Sequence, residues 1–398
     1  MRIFTGSWVV PVSSPPLARG RVAVEGGRIA WVGRAGEAGE PDGPVTDLGD
    51  GVLLPGLVNA HCHLELSHLA GKVDRAHGFA RWVDSLLKAR AAADEKEVRD
   101  ALRRGLSQLE GTGTVALGDV SNAVAHLDLL EASTLDAVVF YELLGWDPAR
   151  APLLLEAADR VSGLARAQTL RTRVKPAAHA PHTVSPALLA GLVHRGGPAA
   201  IHLAESPTET RFLAGGDAEW SAFLKSRGTD VAFTPPGQSP VRYLEAAGAL
   251  RPGLVAAHCI HADAGDRALL ATHGVHAVIC PRSNAALGSG TADVPALLAD
   301  GVRLALGTDS LASVETLDLL ADAAFLQRTF PDLPPAAIVR MATLGGAEAL
   351  GFEDLGALAP GRRARMAWAP APAALADPLA FLTSGEAQAR PLPPSEGA

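Results

Sequence analysis

Cysteine is scarce in this chain. There are three, Cys62, Cys259 and Cys280. That is too few and too odd a number for a disulfide framework, and it points to a reducing compartment, the cytoplasm. Long apolar runs are also missing: no uncharged stretch reaches the ~18 residues that a membrane span needs. Residues 1–20 lack the basic start and apolar core of a signal peptide. Basic clusters are absent and the formal net charge is −8, which argues against nucleic acid as a partner. What remains, 48% hydrophobic and 20% charged residues over 398 positions, is the composition of a soluble globular chain with a large core.

The first 55 residues read as a small β unit. Arg21–Glu25 and Arg28–Val32 alternate apolar and polar residues around Gly26-Gly27, a hairpin signal because both glycines can take positive φ. From residue 56 the rhythm changes. Eight short apolar runs, near 56–61, 114–118, 136–141, 173–179, 199–203, 254–258, 276–280 and 302–308, alternate with helix-periodic stretches such as 79–110, 150–168, 208–225, 263–273 and 315–328. Strand-then-helix repetition predicts a parallel α/β sheet, and eight units predict a closed (β/α)8 TIM-type barrel. A long open doubly wound sheet is the alternative, but no Gly-x-Gly-x-x-Gly follows the first strand to support a dinucleotide fold. After residue 350 the pattern breaks, and Arg365–Ala369 reads as a strand that could join the N-terminal unit. The Pro-, Glu- and Ala-rich end from about residue 387 reads as a loosely ordered tail.

Catalytic groups of such barrels sit where strands end. Here the first run ends in His61-Cys62-His63, the fourth in His179-Ala-Pro-His182, the fifth in His202-Leu-Ala-Glu205, the sixth in His258-Cys-Ile-His261 and the eighth in Thr308-Asp309-Ser310. Residues two apart on a strand share a face, so His61 and His63 converge while Cys62 points away. His61, His63, His202 and Asp309 make a three-nitrogen, one-oxygen set suited to one Zn2+, with Fe2+ as the alternative, and leave a position open for water. Such an ion lowers the pKa of that water towards neutrality. Glu205, just past the fifth strand, is placed as proton donor and acceptor, and His258 as a hydrogen-bond partner of the water or of the developing oxyanion. Lys175 lies four residues before His179, deeper on the same face, so a carbamylated lysine bridging two metals is set aside in favour of a single ion. His68, His77, His126, His194, His273 and His276 read as structural or exposed, and the cysteines as small buried residues.

At these residues the chain resembles the amidohydrolase superfamily over nearly its full length. The ordered set is Pro55-Gly-Leu-Val-Asn-Ala-His61-Cys-His63, His179-Ala-Pro, His202-Leu-Ala-Glu205, His258-Cys, Cys280-Pro-Arg-Ser-Asn284 and Gly307-Thr-Asp309-Ser. It looks like the mononuclear deaminase and chlorohydrolase branch. That resemblance implies a β-sandwich domain from residues 1–55 plus 353–398, a barrel over 56–352, and a homodimer. It also implies that His61, His63, His202 and Asp309 bind the metal, Glu205 protonates a ring nitrogen, and His258 orients the water. Asp309 in addition shuttles its proton, and His179 binds substrate. The chain departs from the family pattern at Ala178 and at His182, where tyrosine is common, and at Arg365-Met-Ala-Trp in the C-terminal strand.

The stretches His63-Leu-Glu65-Leu-Ser67, Gly78-Phe-Ala-Arg81-Trp82-Val and Gly307-Thr-Asp309-Ser-Leu-Ala-Ser313 are similar to aminodeoxyfutalosine deaminases of the menaquinone pathway. This implies hydrolytic loss of an adenine 6-amino group as ammonia. Glu65, Arg81, Trp82, His182 and Ser313 are then candidate substrate contacts over the mouth. The rivals are a deaminase of S-adenosylhomocysteine, methylthioadenosine or guanine, an amide or halide hydrolase with the same metal centre, and a purine-binding barrel without turnover.

Overall fold

The computed structural model describes the chain except residues 75–78, 227–233 and 393–398, and the side chains of 79–81. His77 and Arg81, weighed above, therefore lie outside the described residues. The two chain ends build two facing sheets. One orders its strands 28–34, 20–25, 2–5 and 45–47, and the other 390–391, 366–370, 51–55, 8–9 and 17–18. The hairpin turns through Gly26 and Gly27 at φ 54° and 73°, the left-handed pair that matches strand twist. The C-terminal strand Met366–Pro370 pairs antiparallel with Gly51–Pro55. Phe4, Val22, Ile29, Leu53, Met366 and Trp368 form their shared apolar cluster. The expected loose tail is corrected as far as residue 392. Arg390–Pro391 pairs with Ala367 and Trp368, and Ala387 and Ala389 are buried, so apolar contact fixes a stretch whose composition suggested disorder.

All eight barrel strands are present: β1 (Leu57–Cys62), β2 (Thr114–Ser121), β3 (Asp136–Leu143), β4 (Thr172–Ala178), β5 (Ala200–Leu203), β6 (Val255–His258), β7 (His276–Ile279) and β8 (Arg303–Leu306). One buried cluster takes a residue from each, Val58, Ala116, Val138, Ala177, Ala200, Val255, Val278 and Ala305, so these side chains face a common interior. Ala347, Leu350 and Phe352 join that cluster from the segment after β8. The outer faces carry apolar residues against the helices. Leu102, Leu106 and Leu109 of the helix Glu95–Gly111, for example, pack with Leu117 and Cys62. The single periodic stretch 79–110 is two helices, Phe79–Ala92 and Glu95–Gly111, parted where the Asp94 side chain accepts from Glu97 N and caps the second.

One continuous ladder was the expectation, and here the structure differs. The strands form two parallel four-stranded arcs, β4-β3-β2-β1 and β5-β6-β7-β8. Two backbone hydrogen bonds span each of the two seams. Ala199 N donates to Pro176 O at 2.9 Å and His202 N to His179 O at 2.8 Å; across the other seam Thr308 N and Asp309 N both reach His61 O at 3.1 Å. Among the described residues no helix is long and apolar enough to cross a membrane.

Candidate metal centre

Each strand end presents its side chain by a different local device. Val58 and Ala60 of β1 face the interior, so strict alternation would turn Cys62 inward and His61 outward. The pairing of β1 with β2 shifts register between Asn59 and Cys62. This bulge-type irregularity reverses the parity and sends Cys62 to the helix-facing cluster. His202 follows the alternation of Ala200 on β5. On β6 alternation would put His258 outside, since Val255 is interior; His258 instead adopts φ 75°, and its ring lies 5.5 Å from those of both His61 and His202. Asp309, beyond β8, has φ 61°. Left-handed backbone at non-glycine residues costs on the order of 1–3 kcal/mol each and collects at functional sites.

These devices bring four ligand candidates together. The ligand atoms of His61, His63 and His202 lie within 4.8 Å of one another. His63 Nε2 and His202 Nε2 stand 3.2 Å apart. Asp309 Oδ1 is 3.6 Å from His63 Nε2 and 3.9 Å from His61 Nε2. Donor atoms around a tetrahedral ion with bonds of ~2.0–2.1 Å are separated by about 3.3 Å, so the set fits a divalent metal with little adjustment. Burial strengthens the case. His61 Nε2 is buried with no hydrogen-bond partner, an orphan that a metal would satisfy. Burial, and then its histidine neighbours, holds the His61 imidazole well below its usual range. Burial in the same way brings His63 and His202 to about 3. All three are neutral at pH 7, the form that offers a lone pair. His202 Nδ1–H donates to His179 O at 2.9 Å, which fixes the tautomer with Nε2 free.

Around this set sit the groups that hold or move protons. Glu205 Oε1 lies 3.7 Å from His258 Nε2, and burial pushes the Glu205 carboxyl up. The Glu205 backbone is pinned by Glu209, whose two oxygens accept from Ala204 N at 3.1 Å and Glu205 N at 2.8 Å. Asn284 Oδ1 accepts from His258 Nδ1 at 2.8 Å and so turns Nε2 towards Glu205. Ser283 donates to Asp309 Oδ2, and Ser313 does so at 3.3 Å, which leaves Oδ1 facing the histidines. His179 Nδ1 bonds Thr183 Oγ1 at 2.7 Å, and the Thr183 hydroxyl in turn donates to Ala180 O. The hydroxyl therefore accepts from Nδ1–H, and His179 Nε2 remains an acceptor.

The expected substrate contacts fall in different places. Glu65 does not stand free over the mouth: Arg90 Nη2 reaches Oε1 at 2.7 Å, and Ser121 Oγ, Asn122 N and Ala123 N donate to Oε2 at 2.6, 3.1 and 3.2 Å. Its oxygens are occupied in fixing the loop after β2. Ser313 bonds Asp309 and Ser283. Trp82 packs against the cluster of Leu66, Leu69 and Ala312. His182 is 1% exposed, with its ring 4.9 Å from that of Trp220 and both ring nitrogens unpartnered. Lys175 is exposed and outside the ligand group. His261 Nε2 bonds Ser289 O at 2.9 Å.

Sequence reasoning missed Glu142, Ser283, Asn284 and Glu209. Ser283 and Asn284 lie within the Cys280–Asn284 motif already quoted. Glu142 follows the third apolar run directly, but that run was read as ending at Tyr141, whereas β3 continues to Leu143.

Known proteins resemble this chain over most of its length. The amidohydrolase family description matches residues 52–384. The chain is 32% identical over 372 residues to the 5-methylthioadenosine/S-adenosylhomocysteine deaminase of Moorella thermoacetica, covering 89% of this chain and 82% of that one. It is 35% identical over 324 residues to the aminodeoxyfutalosine deaminase of Deinococcus radiodurans, covering 75% and 73%. An adenosine deaminase from Xanthomonas campestris, solved with bound zinc, superposes with a TM-score of 0.77 at 25% identity, covering 96% of this chain and 88% of that one. With the family pattern spanning residues 52–384 and a histidine group able to hold a metal at the strand ends, this chain belongs to the amidohydrolase family.

Proposed function

We propose that the protein is a metal-dependent deaminase that hydrolyses the amino group from the adenine ring of a nucleoside, releasing ammonia, with aminodeoxyfutalosine as its substrate. The observation that carries the reading is the buried Glu205 carboxyl, pushed up by its surroundings, 3.7 Å from His258 and beside the group formed by His61, His63 and His202. A carboxylic acid kept protonatable next to a metal site is what donation to a ring nitrogen requires.

His61, His63, His202 and Asp309 would hold one divalent ion, and zinc fits the donor set. That ion supplies Lewis acidity, which lowers the pKa of a water towards neutrality. Asp309 Oδ1 takes the proton from the attacking water, while Ser283 and Ser313 keep Oδ2 occupied. His258, oriented by Asn284, donates to or accepts from the attacking oxygen. Glu205 protonates the ring nitrogen next to the carbon under attack, and a proton passed to the amino group lets it leave as ammonia. His179 Nε2 accepts a hydrogen bond from the substrate. Water is consumed and C–NH2 becomes C=O.

Relatives named for methylthioadenosine and S-adenosylhomocysteine support the second reading, in which the same chemistry acts on those nucleosides. An ultraviolet assay on the metal-loaded protein against aminodeoxyfutalosine, methylthioadenosine, S-adenosylhomocysteine and adenosine tests both. Ring deamination shifts the purine absorption and releases ammonia in step. The highest kcat/KM on aminodeoxyfutalosine supports the first reading, and the highest on a thio-nucleoside supports the second. Silence on all four overturns the adenine reading.

A further inference from the structure

We propose that Glu142 is a positioning residue for His202: its carboxylate holds the imidazole in register for the metal and strengthens it as a ligand. Glu142 follows the inward alternation of Val138 and Phe140 on β3, which brings it to the top of the interior. It is 8% exposed, and its Oε1 lies 3.4 Å from His202 Nδ1 with no hydrogen bond of its own. The Nδ1–H of His202 is donated to the His179 carbonyl at 2.9 Å, and the Glu142 carboxylate stands beside Nδ1 at 3.4 Å as a charged neighbour without a hydrogen bond. The carbonyl alone suffices to fix the tautomer. What Glu142 adds is a carboxylate charge beside Nδ1, which raises the donor strength of Nε2.

The carboxylate is aimed rather than merely near. Asn122 Nδ2 donates to Glu142 Oε2 at 2.9 Å and to the Glu142 backbone carbonyl at 3.2 Å, which leaves Oε1 to face His202. Asn122 is itself held, since Arg90 Nη1 donates to its Oδ1 at 3.1 Å and its backbone N–H to Glu65 Oε2 at 3.1 Å. A chain of contacts therefore runs from Arg90 and Glu65 through Asn122 and Glu142 to His202. This gives Glu65, so fully engaged in the scaffold, a part in supporting the metal centre.

The inference rests on reading His202 as a metal ligand, and the experiment separates the two. Zinc affinity is measured by chelator competition on wild type, Glu142→Gln and His202→Asn, together with the visible spectrum of the cobalt-substituted forms and the thermal unfolding of the metal-free forms. Glu142→Gln keeps the side-chain volume and removes the charge. The expected result is a zinc Kd raised roughly 10- to 100-fold, an altered cobalt spectrum and an unfolding temperature equal to wild type. An unchanged Kd and spectrum, or a loss of affinity accompanied by an equal loss of metal-free stability, overturns the proposal. His202→Asn with wild-type affinity would instead overturn the ligand reading itself. If Glu142→Gln does not fold, Asn122→Ala, which frees the carboxylate to rotate, should raise the Kd in the same direction, and wild-type affinity there overturns the proposal.

Discussion

Gly307 and His61 pack backbone to backbone across the seam between β8 and β1. A Cβ placed on Gly307 would stand 2.7 Å from the His61 carbonyl oxygen, 2.8 Å from its Cβ and 3.1 Å from Cys280 Sγ. No side chain fits there without moving a metal-ligand candidate. Gly307→Ala is therefore expected to fold with the barrel intact but to lower metal affinity by about tenfold or more, the scale of losses seen when groups supporting a ligand are disturbed. Chelator competition on the purified variant reads this. An unchanged affinity would mean that the seam relaxes elsewhere.

Asn284 turns His258 towards Glu205 without belonging to the ligand group. Asn284→Ala should retain the metal while lowering kcat by roughly 10- to 100-fold, with little change in KM. Metal content and steady-state kinetics on the same preparation check this.

Stability depends on a pair outside the site. Asp322 is 0% exposed and accepts from Arg282 through its backbone N at 3.2 Å, Nε at 3.0 Å and Nη2 at 2.7 Å. Burial pushes the Asp322 carboxyl up to about 6 against the pull of Arg282. Removing it leaves a largely buried guanidinium without its carboxylate, held by Thr316 and the Asp318 carbonyl, which costs on the order of 3 kcal/mol. Denaturant unfolding of Asp322→Ala should show that loss, and a change below about 1 kcal/mol would contradict it.

His182 sets an acid limit. Burial, then His179 and His202, brings its imidazole to about 3, whereas an unfolded histidine titrates near 6.5. Between these values the unfolded chain binds more protons than the folded one, so stability falls as pH drops. The contribution is fully present above about pH 6.5 and is lost progressively towards pH 3. Metal-free protein should melt at a lower temperature at pH 5 than at pH 7, and His182→Phe should flatten that dependence.

Much of the architecture was legible because strand and helix periods differ, and the eight apolar runs each became a strand. The convergence of His61, His63, His202 and Asp309 was legible because all lie at strand ends, which face one mouth whatever the details. The devices that aim them were not. Simple alternation gave Cys62 its outward direction, but the structure reaches that direction through a register shift after Asn59, and His258 depends on a left-handed backbone. No local pattern distinguishes such turns from ordinary strand ends. The engagement of Glu65 was hidden for a related reason: a carboxylate just past a metal motif looks the same in sequence whether or not the backbone N–H groups of Asn122 and Ala123 donate to it. Glu142 was overlooked because its strand outlasts its apolar run.

The central claim is that His61, His63, His202 and Asp309 hold a single metal ion and that Glu205 works beside it as the proton carrier. Metal-to-protein ratio and ammonia release, measured together on wild type, Asp309→Asn and Glu205→Gln with an adenine nucleoside, test it most directly. The account predicts about one metal per chain in wild type and in Glu205→Gln. Turnover in Glu205→Gln should be lower by at least about 100-fold, and both metal and activity should be lost in Asp309→Asn. A Glu205→Gln protein that keeps its metal and its turnover, or an Asp309→Asn protein that keeps both, would contradict it.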